Sequence, residues 1–254
     1  MKIKVITLPE AKERQLRIKN IFDNKNIFFE FVNGVAPNDI IFFKNLNFKV
    51  HDKIYKINEE NLLKYTNRLW VRFGEIGALM AHKYIWEELL NDKENNVYMI
   101  CEDDFIFSDA FKIDFLDSFD YSKFDLLYLQ AVTAHYQNKN NLLNVYKSAS
   151  WDSNLKIIDK NKNIMFEGFA CYCITKTGAQ KALNYIENNG YDGPIDNLVC
   201  HIDNFLSVCP TNINDYVYLD DTSKFSYTHT GNFIHKYKLN NIELQSKIPL
   251  NVID

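Results

Sequence analysis

The chain opens on an alternation of charged and apolar positions, Lys2-Ile3-Lys4-Val5-Ile6-Thr7-Leu8, whose period of two predicts a strand over 2–8. Pro9 and Glu10 supply a helix start, and Ile18, Ile21 and Phe22 recur on one face of a helix predicted over 11–24. Phe28 to Val32 is apolar again and reads as a second strand. Strand, helix and strand in that order form a βαβ unit, the building block of a parallel sheet. Over 38–67 the signal weakens to short apolar pieces, Ile40 to Phe43 and Ile54 to Ile57, among Lys and Asn, and reads as a loop-rich excursion. Helical spacing returns from Gly74 to Leu90, where Glu75 and His82 project from nearly the same face as Leu79. A polar pair on an otherwise buried stripe requires partners.

The next element carries the strongest chemical signal. The apolar run Val97-Tyr98-Met99-Ile100-Cys101 ends on three acids, Glu102-Asp103-Asp104. A buried strand cannot continue into three carboxylates without cationic partners, so it ends there, at the carboxyl edge of a sheet where open α/β folds bind ligands. A short helix is expected from Ser108 to Ser118 and a strand from Asp125 to Leu129, with a polar loop over 133–154. Leu155 to Ile158 and Ile164 to Ile174, joined by Asp159-Lys160-Asn161-Lys162-Asn163, suggest a hairpin. Thr177 is the expected cap of a helix running to about Asn188, with Gly190 past its end. Gly193-Pro194 opens another helix, with Asp196 in its first turn. The aromatic segment Phe225 to Tyr237 carries His229 and His235.

Composition narrows the classes. The 254 residues are 46% hydrophobic and 15% aromatic, enough for one α/β domain over 1–254, with 225–254 as a tail closing the site. A net charge of −4 disfavours nucleic acid as a partner. Neither a leader peptide nor a membrane span is legible, because the first apolar stretch breaks at Pro9-Glu10, and the reading is cytoplasmic. The five cysteines (101, 171, 173, 200 and 209) lack paired spacing and read as buried reduced thiols.

Ile6-Thr7-Leu8 with Arg14, Gly74-Glu75-Ile76-Gly77 with His82 and Trp86, Glu102-Asp103-Asp104, Gly168, Gly178-Ala179 and Pro194-Ile195-Asp196 together resemble glycosyltransferase family 25. The family includes bacterial lipopolysaccharide and lipooligosaccharide galactosyltransferases and procollagen galactosyltransferases. The resemblance is ordered along residues 3–200, with Thr7 in place of a commoner Asn and Ala81 in place of a Ser before His82. It implies a GT-A-like nucleotide-sugar-binding fold, with a mostly parallel central sheet flanked by helices. It further implies inverting transfer of a hexose, galactose foremost, from a UDP-sugar to a saccharide acceptor that in bacterial members is lipid-linked at the inner face of the inner membrane. A divalent ion, Mn²⁺ or Mg²⁺, would assist.

With that expectation, a hard cation would answer the charge that gathers on the departing diphosphate. In an extended strand Glu102 and Asp104 share a side and Asp103 points away. Asp104 is thus the expected metal ligand, Glu102 a ligand or ribose contact, and Asp103 a scaffold group or nucleotide contact. GT-A enzymes often add a C-terminal His, for which His229 is the candidate and His235 the second. Asp196 is placed as the base that takes the acceptor's proton, Thr7, Leu8 and Arg14 at the nucleotide, and Glu75 and His82 at the donor sugar or behind the metal-site loop. Plainer roles stay open: a helix cap or solvated turn for the acids, dipole complementarity for Asp196, a surface or core position for His229 and solvent for Arg14. Tyr65, Trp70, Trp151 and Tyr191 could stack on a sugar or simply fill the core and rim. Clustered acids also suit metal-dependent phosphoryl transfer or phosphodiester hydrolysis, and a non-catalytic carbohydrate-binding protein is the third class.

Overall fold

The computed structural model describes residues 1–35, 47–50, 53–56, 73–109, 111–130, 133–136, 146–158, 164–167, 169–190, 195–211 and 217–219. Along the chain these form β1 (Lys2–Thr7), α1 (Lys12–Asn24), β2 (Glu30–Asn33), β3 (Asn47–Val50), β4 (Lys53–Lys56), α2 (Phe73–Asn91), β5 (Val97–Glu102) and β6 (Phe105–Phe107). A 3₁₀ turn (Ile113–Ser118) leads to β7 (Leu126–Tyr128), β8 (Thr133–Tyr136), β9 (Tyr146–Ser148), β10 (Leu155–Ile158), β11 (Ile164–Glu167) and β12 (Cys171–Thr175). Then follow α3 (Lys176–Asn189), α4 (Ile195–His201), β13 (Ser207–Pro210) and β14 (Val217–Leu219).

Eight strands make the central sheet, in the order β2-β1-β5-β12-β7-β13-β10-β9. The βαβ opening pairs β1 in parallel with β2, and β1 is also parallel to β5, as β7 is to β13. The other neighbours are antiparallel: β12 to β5 and to β7, and β10 to β13 and to β9. The class is α/β as expected, but the sheet is mixed, which corrects the expectation of a mostly parallel one. Between β7 and β12 the described chain holds strands and no helix, and a return without a crossover helix runs antiparallel.

Local readings fail where pairing is long-range. The expected hairpin does not form, because β10 pairs with β13 and β9 while β11 pairs with β8. The stretch 133–154 carries β8 and β9, the short helix shrinks to the 3₁₀ turn, and β6 precedes it. Within 38–67 the described residues form the β3–β4 hairpin.

The two faces of the sheet are covered by different helices. Tyr98 and Ile100 of β5 and Tyr172 and Ile174 of β12 pack under α2, α3 and α4, against Leu79, Trp86, Ala182 and Leu198. Met99, Cys101, Cys171 and Cys173 face the other way, onto Ile18 and Phe22 of α1 and the rings of Phe105, Phe107 and Phe111. All five cysteines are buried and free. Two glycines set the helix approach. A Cβ on Gly77 would lie 2.3 Å from the Val35 carbonyl oxygen, and one on Gly178 would lie 2.4 Å from that of Asp125. The cap of α3 is Thr175, two residues before the expected Thr177, and its Oγ1 accepts from the Gly178 amide at 3.0 Å.

Candidate active site

β5 ends at Glu102, and Asp103–Asp104 turn the chain into β6. The two-residue period of the strand therefore reaches only to its end, sending Glu102 to the α2 face with Tyr98 and Ile100. Asp103 goes to the α1 face. There its Oδ2 accepts from Thr7 Oγ1 at 2.5 Å and its Oδ1 from Arg14 Nη1 at 2.5 Å, with both charged partners buried. Arg17 donates to the main-chain oxygens of Asp103 at 2.5 Å and Phe105 at 2.9 Å. Burial pushes the Asp103 carboxyl upward, and Arg14, Thr7 and Arg17 pull it back. The end of β1 and one face of α1 thus grip the turn through Asp103.

Glu102 is gripped from the opposite side. His82 Nε2 lies 3.2 Å from Glu102 Oε1, and His82 Nδ1 lies 2.7 Å from the Tyr172 hydroxyl, which also accepts from Trp86 Nε1 at 3.1 Å. His82, Trp86 and Tyr172 are fully buried. Burial pushes the His82 imidazole down to about 3, so it is neutral at ordinary pH.

Asp104 is held less fully, with its own main-chain amide favouring the charged form. It is 4% exposed, and its Oδ1 is buried without a hydrogen-bond partner among the described residues. Burial, then the charges of Glu102 and Asp103, push its carboxyl up to about 7, against a smaller opposing pull from Arg14. A buried oxygen left without a donor beside two other acids is a site that gains from a cation. The donors are hard oxygens, which suits Mg²⁺ or Mn²⁺. Among the described residues no three His, Cys, Asp or Glu side chains form a group that could hold a metal ion.

The fold therefore gathers Thr7, Arg14, His82, Glu102, Asp103 and Asp104 at one corner. The Leu8 carbonyl is committed to the start of α1, accepting from the Ala11 amide at 3.0 Å and Gln15 Nε2 at 2.8 Å. Glu75 lies in the first turn of α2, with its side chain outside the described residues, as are His229 and His235. Asp196 lies half-buried in the first turn of α4, on the α2 face. It adds to the upward push that burial, above all, gives the Tyr128 hydroxyl, and Tyr128 is the cross-strand partner of Tyr172.

Three contributors were not legible. Arg17 stands among charged neighbours and shows no periodicity that marks it. Gln130 accepts from the Ala170 amide at 3.0 Å, and Ala170 in turn accepts from the Glu102 amide at 2.8 Å, a link set by strand order. Tyr172 carried the one usable signal, a hydroxyl inside an apolar strand that must find a partner.

The sequence model of glycosyltransferase family 25 (LPS biosynthesis protein) matches residues 1–199. The chain belongs to glycosyltransferase family 25. A Haemophilus influenzae protein that carries only the provisional name of glycosyltransferase is similar to this family 25 chain, 27% identical over 195 residues, or 77% of this chain and 61% of the relative. The chain thus spans less than two thirds of that relative's length. Among solved structures, an active-site mutant of LgtC and the galactosyltransferase LgtC with donor and acceptor sugar analogs overlap it. Each is 8% identical, covering 78% of this chain and 69% of the other, with TM-scores of 0.37 and 0.36. Overlap that low adds nothing to what family membership establishes. No described helix is long and apolar enough to cross a membrane.

Proposed function

We propose that this family 25 chain is a metal-dependent, inverting glycosyltransferase of GT-A type. It moves a hexose, galactose foremost, from a UDP-sugar to a saccharide acceptor of lipopolysaccharide or lipooligosaccharide. The observation that carries the reading is the acidic corner at the end of β5, where Asp104 presents a buried, unpartnered oxygen beside Glu102. Family membership supports the transferase class, and the family's description supports the lipopolysaccharide setting.

Glu102 and Asp104 would hold a divalent cation, joined by His229, and that ion when bound would offset the negative charge of the diphosphate leaving group. Arg14 and Thr7 fix Asp103, so the turn keeps its shape while the donor enters. Leu8, at the end of β1, and Glu75, at the start of α2, flank the nucleotide sugar. Asp196, held in the first turn of a helix, takes the proton of the acceptor hydroxyl as the new bond forms on the face opposite the diphosphate.

The test is a panel of UDP-, GDP- and CMP-sugars with Mn²⁺ or with chelator, read by thermal shift and by nucleotide release. Stabilisation and UDP release with one UDP-hexose, lost with chelator, is the expected result. Release of UMP and sugar phosphate would indicate phosphodiester cleavage instead, and an unresponsive protein would overturn the reading.

A further inference from the structure

The hydrogen-bond chain behind Glu102 has a direction that can be counted out proton by proton. Trp86 Nε1 can only donate, so the Tyr172 oxygen accepts from it at 3.1 Å. Among the described residues the Tyr172 hydroxyl has one other partner, His82 Nδ1 at 2.7 Å, so its single proton goes there. His82 Nδ1 is then an acceptor, and the ring proton sits on Nε2, facing Glu102 Oε1 at 3.2 Å. The reverse wiring, with a proton on Nδ1, leaves the Tyr172 hydroxyl proton without an acceptor in a fully buried site. A doubly protonated imidazole leaves it stranded in the same way.

We infer that Trp86 and Tyr172 are positioning residues that lock His82 as the Nε2–H tautomer, so that Glu102 is held as an oriented proton acceptor at the donor site. Neither touches the ligand. They act through His82, and Phe169 braces the two rings, with its centroid 5.5 Å from that of His82 and 4.1 Å from that of Tyr172. The route from the core of the α2 face to the half-buried Glu102 needs no residue outside those described. Partners behind a ligand fix its orientation, and their loss typically weakens metal affinity or activity 10- to 100-fold. The positioning role rests on the donor-site reading above, whereas the wiring does not.

The experiment has two arms. In ¹⁵N-histidine spectra of the wild-type protein, with the His82 signals assigned by their loss in His82→Gln, Nε2 should be protonated and Nδ1 not. A proton on Nδ1, on both nitrogens, or averaged between them overturns the wiring. In the second arm Mn²⁺ alone is titrated into wild type, Tyr172→Phe and Trp86→Phe and followed by calorimetry. The expected result is about tenfold or more weaker binding in Tyr172→Phe, with a smaller loss in Trp86→Phe. Equal binding in all three overturns the positioning role. A wild type that shows the Nε2–H tautomer but binds neither Mn²⁺ nor UDP upholds the wiring and overturns the donor-site reading. Where Tyr172→Phe fails to fold, the wild-type spectrum and Trp86→Phe decide.

Discussion

Replacing Asp104 by Asn should favour the metal-free protein increasingly as pH rises while destroying its response to cations. The carboxyl is pushed from an ordinary value of 3.8 up to about 7 by burial and by Glu102 and Asp103. Between those values the folded state binds more protons than the unfolded one, so stability falls as pH rises through that window. At ~1.4 kcal/mol per unit, holding Asp104 in place costs about 2 kcal/mol at about pH 5 and about 4 kcal/mol at about pH 8. His82 works in the opposite sense. Its folded value of about 3 lies below the ordinary 6.5, so the unfolded state binds more protons and stability rises with pH across that range. The rise is about 2 kcal/mol between about pH 5 and about pH 8. The two slopes nearly cancel in the wild type, so Asp104→Asn should expose the His82 slope. Urea melts in chelator at the two pH values provide the assay. The variant's advantage should grow by about 2–3 kcal/mol from the lower pH to the higher, a difference that leaves out the fixed cost of burying the new amide. Mn²⁺ should raise the melting temperature of wild type only. An advantage that stays constant or shrinks with pH would refute the account of Asp104 as a buried acid with one oxygen left without a donor.

Four further outcomes follow from the same structure. Arg14→Met leaves the Asp103 carboxylate buried with Thr7 and only the weaker pull of Arg17, and should cost up to about 3–5 kcal/mol in a urea melt, largely recovered in the double variant with Asp103→Asn. Gly178→Ala places a methyl 2.4 Å from the Asp125 carbonyl oxygen and should destabilise by about 1–3 kcal/mol, read as a lower melting temperature. Thr175→Ala removes the cap of α3 and should cost about 1 kcal/mol, restored by Thr175→Ser. Asp196→Asn should lower kcat by about 10²–10⁴-fold with donor affinity kept, measured by turnover alongside UDP-sugar titration; parallel loss of binding would assign Asp196 to another role.

What could be read in advance was whatever depends on neighbours in sequence. The alternation at Lys2–Thr7, the apolar stripe of α1 and the run ending at Glu102 each announced an element, because burial on one face leaves a period in the chain. The acidic corner was legible for the same reason, since three charges cannot follow a buried strand unattended. The grip on Asp103 was not, because Arg14 stands 89 positions away and only the docking of α1 brings it there. Pairing partners were hidden likewise: Leu155 to Ile158 looks like one arm of a hairpin, but β10 reaches its partner β13 across some fifty residues. Antiparallel β12 made the sheet mixed, and nothing in Cys171 to Thr175 itself fixes direction. An apolar strand buried on both faces shows no period at all.

Because neighbouring acids at the end of β5 are claimed by helices on opposite faces of the sheet, the strand tolerates substitution far better than a change of length. Inserting or deleting one residue between Val97 and Glu102 would exchange the faces, aiming the first acid at the arginines of α1 and the second at the imidazole. Family members should therefore vary in the loops around this strand while holding its residue count fixed, and directed evolution here should proceed by point changes and never by indels.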